Sequence, residues 1–127
     1  ISVIPFQLKQ LLHNLVGNAI KYKDEQRPLH ITIECSLMHG SELAVPGVSS
    51  EVSFCHLSVT DTGIGFDSLY KDRIFEVFQR LHSKDEFEGT GIGLAICKRI
   101  VDNHQGIITA TGELGKGAQF DVYLPVV

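Results

Sequence analysis

Gln7, Gln10, Asn14, Asn18 and Lys21 recur at three- and four-residue steps, so a helix would carry them as one polar stripe ending in a cation. Amide oxygens suit a hard cation such as Mg²⁺, and a lysine one turn further on can meet a phosphate. The same stripe would also serve as a plain solvated face, because every amphipathic helix has one. Further along stands Asp61-Thr62-Gly63-Ile64-Gly65-Phe66, directly after a run that reads as a strand. Two glycines at this spacing allow a tight turn and a close approach of ligand to backbone, and the carboxylate can accept a hydrogen bond from an exocyclic amine. D-x-G-x-G alone also makes ordinary turns. Gly89-Thr90-Gly91-Ile92-Gly93-Leu94 enters a second helical pattern, where free N–H groups and the helix dipole favour an anion. It is not a dinucleotide-binding fingerprint, since no strand directly precedes it, and the chain holds no G-x-x-x-x-G-K-[ST].

The elements that must position these groups follow from apolar spacing. Leu8, Leu11, Leu12, Leu15, Val16, Ala19 and Ile20 predict an amphipathic helix over Pro5 to Tyr22, with Pro5 in its first turn. Alternation predicts a strand over Leu29 to Leu37, with Leu29, Ile31, Ile33, Cys35 and Leu37 on one face. Met38 to Glu51 reads as a long exposed hairpin loop. Val52 to Asp61 reads as a second strand with Cys55, Leu57, Val59 and Asp61 on one face, so its last core-facing position is a carboxylate that needs a specific partner. Leu94 to His104 returns to helical spacing, with Gly106 as a left-handed stop. Gly106 to Thr111 and Ala118 to Leu124 read as a strand pair around the turn Gly112 to Gly117. The order predicts an α+β sandwich: a mixed, mainly antiparallel sheet covered on one face by helices.

Length and composition bound the rest. The 127 residues, 43% hydrophobic, suit one domain with its own core. Fifteen acidic against 11 basic residues argue against nucleic acid as a partner. Cys35, Cys55 and Cys97 are widely spaced and read as reduced core thiols of a cytoplasmic protein. No apolar run reaches the ~18 residues of a membrane span, and the start at Ile1 rather than Met reads as a segment of a longer protein.

Four motifs, in order and spacing, resemble the ATP-binding catalytic domain of sensor histidine kinases: NLVGNAIKY the N box, DTGIGF and GTGIGLAI the two glycine boxes, and IFEVFQR the F box. The resemblance covers about Gln7 to Pro125, and the segment from Ile74 to Val101 is most similar to phytochrome-like and hybrid sensor kinases. It implies the Bergerat fold shared with gyrase, a heat-shock chaperone and mismatch-repair ATPases, and it implies ATP and Mg²⁺ as ligands. By resemblance, Asn18 is the Mg²⁺ ligand, Lys21 a phosphate contact, Tyr22 an adenine neighbour, and Asp61 the acceptor for the adenine amino group. Gly63, Ile64 and Gly65 would shape the adenine pocket, while Phe75 and Phe78 would anchor a lid, or simply pack in the core. Arg80 would approach the γ-phosphate, and Gly89, Thr90, Gly91, Ile92, Gly93 and Leu94 would close over the phosphates.

Asn14, Lys21 and Arg80 are the residues this resemblance assigns to the chemical step. ATP-hydrolysing relatives carry a Glu at the place of Asn14, and an amide cannot act as a general base near neutral pH. Its presence suits a kinase that keeps water from the γ-phosphate. Gln119, in GKGAQF, stands where a Thr often supports adenine-side hydrogen bonds. None of His13, His30, His39, His56, His82 and His104 sits in an H-[ED]-x-x-x-P setting, so the phosphoacceptor histidine is expected on a dimerisation domain outside this chain. A response regulator receiver domain would be the next partner. A serine kinase of the anti-sigma type and a module that binds nucleotide without transferring phosphate are the rival readings. Within the lid, Asp67 to Glu88, the stretch Ser83 to Glu88 is expected to be the most mobile part without nucleotide, quenched when ATP binds.

Overall fold

The structure is a computed structural model that describes residues 3–43, 51–67, 74–75 and 93–126. Helix α1 spans Pro5–Lys21, strand β1 Ile31–His39, strand β2 Ser53–Asp61, helix α2 Gly93–Asn103, strand β3 Ile107–Glu113 and strand β4 Gly117–Pro125. The strands form one sheet in the order β1-β2-β4-β3, and all three pairings are antiparallel. α1 packs against α2 and β2, and α2 packs against β3, so the described helices share one face of the sheet. This is the predicted α+β sandwich.

α1 starts at Pro5, whose fixed φ suits a first turn and whose missing N–H has no intrahelical acceptor to lose there. Its buried line is narrower than the spacing predicts: Leu11, Leu15 and Ala19, four apart, are buried, whereas Ile20 is half exposed. Leu11 and Leu15 meet Val59 of β2, Phe120 and Val122 of β4, and Cys97, Ile100 and Val101 of α2 in one core. Removing a side chain of this size from water contributes about 1.5–3 kcal/mol.

β1 begins two residues later than the alternation predicts and runs to His39, so Met38 and His39 belong to the strand. A 3₁₀ turn, Gly40–Glu42, follows. Ile33 and Leu37, which alternation puts on one face of the strand, are 51% and 74% exposed. β1 pairs on one side with β2, and among the described residues the helices lie over the strands beyond it. Left uncovered by the described helices, β1 therefore shows Ile33 and Leu37 to solvent despite its alternation.

The cysteines divide likewise: Cys97 is buried, Cys55 half-buried and Cys35 exposed, so only Cys97 is a core thiol. The left-handed residue after α2 is Gln105, with φ 58°, and not Gly106. Gly106 is needed for another reason, since a Cβ there would lie 2.5 Å from the Tyr123 carbonyl oxygen. Replacing Gln105 by Gly should raise stability by about 0.5–1 kcal/mol in a urea melt, because glycine adopts this conformation without the Cβ penalty.

Candidate functional site

β2 delivers a carboxylate to the helix side of the sheet. Val59 and Asp61 share a face by strand alternation, and Asp61 pairs in register with Ile31 and Ala118. It is 8% exposed. The Gly63 N–H donates to Asp61 Oδ1 at 2.8 Å, and a backbone hydrogen bond from Ala118 adds to it. Burial outweighs both and pushes the carboxyl above its ordinary value. The partner that the sequence demanded for this buried acid is thus the backbone of its own glycine loop and of β4.

That loop is held on three sides. The Ile64 N–H donates to the Tyr22 carbonyl at 2.9 Å, which ties the loop to the end of α1. A Cβ on Gly63 would lie 2.5 Å from that carbonyl oxygen and 2.9 Å from Asp61 Oδ1, so only glycine lets helix and loop approach this closely. The Gly115 N–H donates to the Ile64 carbonyl at 2.9 Å from the β3–β4 turn. From the third side, Arg27 Nη2 donates to the Thr62 and Gly63 carbonyls at 2.9 and 2.6 Å, and its Nε lies 3.3 Å from Asp24 Oδ2. Sequence reasoning missed Arg27. It lies in the charged run Lys23 to Pro28, which reads only as the end of a helix, and nothing in its neighbours signals a contact 35 residues away.

α1 supplies the amides. Asn14 and Asn18 are half-buried one turn apart, and Asn18 is followed by exposed Lys21, whose Nζ lies 5.3 Å from the centre of the Tyr22 ring. Asn14 Nδ2 is buried without a well-formed hydrogen bond among the described residues. Its neighbour is the Cys97 thiol, which burial pushes up to about 12 against the opposing pull of the Asn14 amide. Gln7 turns away from the stripe and accepts from Asn103 Nδ2 at 3.4 Å, tying α1 to α2.

Phe75 packs edge-to-face on Phe120, with ring centres 6.3 Å apart, beside fully buried Ile74. Gly93 opens α2 exposed, and Leu94 packs half-buried on the core. Phe78, Arg80, Gly89, Thr90, Gly91 and Ile92 lie outside the described residues, as does the stretch Ser83 to Glu88 expected to respond to nucleotide. Gln119 does not face Asp61. It pairs with Thr60 on the opposite side of the sheet, and its Nε2 donates to both Asp121 carboxylate oxygens at 3.0 and 3.1 Å. Strand alternation thus points Gln119 away from the Asp61 carboxylate.

Residues 4–127 match the family described as histidine kinase-, DNA gyrase B- and HSP90-like ATPase. The chain belongs to this ATPase family. Histidine kinases and phytochromes are among its relatives. Cyanobacterial phytochrome A of a Nostoc species is 46% identical over 121 residues, covering 94% of this chain and 14% of that protein. Sensor histidine kinase RcsC of Escherichia coli is 32% identical over 124 residues, covering 96% of this chain and 11% of that protein. The chain thus spans a small part of the length of the curated relatives it matches. Among solved structures, full-length ShkA in complex with AMPPNP superposes with a TM-score of 0.71 at 31% identity, over 94% of this chain and 21% of that one. The nucleotide-free catalytic domain of histidine kinase ThkA gives 0.71 at 27% identity, over 98% and 71%. The chain is an ATP-binding catalytic domain of the histidine-kinase type.

In this kinase domain the raised Asp61 carboxyl makes a stability prediction whose sign follows from linkage. The folded state holds the Asp61 proton more tightly than the unfolded chain does. The ionised group therefore costs stability at neutral pH, and that cost is relieved as pH falls through the raised folded value toward the ordinary one. Asp61→Asn should be more stable than the parent at pH 7, and the advantage should shrink in urea melts near pH 4.

Proposed function

We propose that the chain binds MgATP and presents its γ-phosphoryl group, in line, to a histidine on the dimerisation domain of the same sensor kinase. The phosphohistidine then supplies an aspartate on a response regulator receiver domain in the cytoplasm. The observation that carries this reading is the buried Asp61 carboxylate, fixed by its glycine loop at the end of β2. An acceptor held there suits the amino group of adenine, with Tyr22, Gly63, Ile64 and Gly65 around the base.

The donor set on α1 fits a metal that arrives with the nucleotide. Asn18 offers one hard amide oxygen, and among the described residues no group of three His, Cys, Asp or Glu could hold an ion alone. Mg²⁺ keeps several waters and takes its remaining ligands from phosphates, so one protein oxygen is a sufficient contribution. When bound, it would neutralise phosphate charge. Lys21 and Arg80 would add to that neutralisation, and positioning would supply most of the remaining catalysis. Asn14, in the place where a general base would activate water, lowers the competing hydrolysis. The resemblance to phytochromes and sensor kinases supports a histidine as the acceptor. No helix among the described residues is long and apolar enough to cross a membrane.

Calorimetric titration with ATP, with and without Mg²⁺, tests the binding half. Asn18→Ala should abolish the Mg²⁺-dependent gain in ATP affinity while adenosine binds almost as before. Full Mg²⁺-dependent affinity in that variant would overturn the role of Asn18. The transfer half is tested by incubating the chain and γ-labelled ATP with the dimerisation domain of its own kinase. Label that stays on ATP, despite normal binding, would leave a nucleotide-holding module.

A further inference from the structure

Cys35 and Cys55 lie on neighbouring antiparallel strands with their sulfur atoms 3.2 Å apart. Cys35 is in register with Leu57 and Cys55 with Leu37, so the two form a diagonal pair on one face of the sheet. Diagonal neighbours usually stand further apart than directly opposed ones, yet here the thiols touch. Ile33 and Leu37, which flank Cys35 on the same face, are largely exposed, and Cys35 itself is open to solvent. A small oxidant therefore has direct access to the pair. Cys97, the remaining thiol, is buried on the core-facing side of α2.

We infer that Cys35 and Cys55 form a reversible dithiol–disulfide site oxidised by hydrogen peroxide or a related small peroxide. The two cysteines divide the work by their surroundings. Burial, and the adjoining Cys35 thiol, push the Cys55 thiol up, so Cys55 keeps its proton while exposed Cys35 meets the oxidant. The Cys35 sulfur attacks one peroxide oxygen as its thiol proton leaves: an S–O bond forms, the O–O bond breaks, and the departing hydroxide takes up that proton to become water. The Cys55 sulfur then attacks the Cys35 sulfur. An S–S bond forms, the S–O bond breaks, and the second oxygen leaves as water with the Cys55 proton. Two thiols are oxidised by two electrons and one peroxide is reduced to two waters. The product joins β1 to β2 at an exposed edge, where a disulfide is open to reduction by external thiols. This chemistry is independent of nucleotide binding.

The test uses the reduced 127-residue chain, treated with hydrogen peroxide, quenched with catalase, then unfolded for thiol counting and peptide mass spectrometry. Free thiols should fall from three to one, with Cys97 the survivor, and a Cys35–Cys55 cross-linked peptide should appear. Dithiothreitol should restore all three. Cys55→Ser should leave Cys35 trapped as a sulfenic acid that dimedone labels, and Cys35→Ser should keep its Cys55 thiol at the same peroxide dose. Three intact thiols, a cross-link only between chains, or oxidation of Cys35 to sulfinic acid without a bridge would each overturn the inference.

Discussion

Asp61→Asn should weaken ATP and ADP binding by one to two decades without unfolding the domain. The change conserves volume, and an amide oxygen can still accept the Gly63 N–H that Asp61 Oδ1 now receives at 2.8 Å. What it removes is a charged acceptor in a site shielded from water. A hydrogen bond to a charged group is worth about 1.5–3 kcal/mol, and 1.4 kcal/mol is a tenfold change in affinity. The amide also presents a donor toward the place where the adenine amino group would present its own. Stability and binding should therefore move in opposite directions, since the same variant is expected to be the more stable protein at neutral pH. Isothermal titration with ATP, ADP and GTP, alongside urea melts, reads both. A parent chain that binds GTP as tightly as ATP would remove the amino-group contact from consideration, and an Asn variant with parental ATP affinity would remove Asp61 itself.

The largest stability effect is expected at Gly117. Its φ of 125° lies where side chains are rarely accommodated, and a Cβ there would run into the Asp61 carbonyl oxygen. Neither side can yield easily, because Asp61 is paired with Ala118 in the β2–β4 ladder. Gly117→Ala should cost about 3 kcal/mol or more, combining backbone strain with a clash against paired backbone. Gly115 is the internal comparison: its φ is 81° but open space surrounds it, so Gly115→Ala should cost only about 1 kcal/mol. Because the Gly117 clash falls on Asp61, whatever Gly117→Ala protein folds should also bind ATP poorly. Urea melts of the two variants side by side decide the matter, and equal losses would mean that the close approach of β4 to Asp61 is wrong.

Several elements were legible in the sequence for local reasons. The period of Leu11, Leu15 and Ala19 required a helix with one buried face, and alternation through Val59 required that Asp61 end its strand pointing inward. A buried acid followed by two glycines could find backbone donors close by in the chain, so a buried carboxylate at this strand end was legible before any fold was known. Period and residue type are short-range properties, and a linear sequence carries them fully.

What faces each element is not short-range, and only the tertiary structure decided it. Ile33 and Leu37 alternate as well as any core strand does, but β1 took the edge of the sheet and left them exposed. The same placement brought Cys35 to Cys55 across 20 residues and made a surface pair of what read as separate core thiols. Arg27 reached the glycine-loop carbonyls through a turn that no periodicity announces. Gln119, one residue out of phase with Ala118, went to Asp121 on the far face of the sheet. Sequence by itself determined which residues could serve the site. Strand order and register, set by how the whole chain buries its apolar surface, decided which of the described ones meet there.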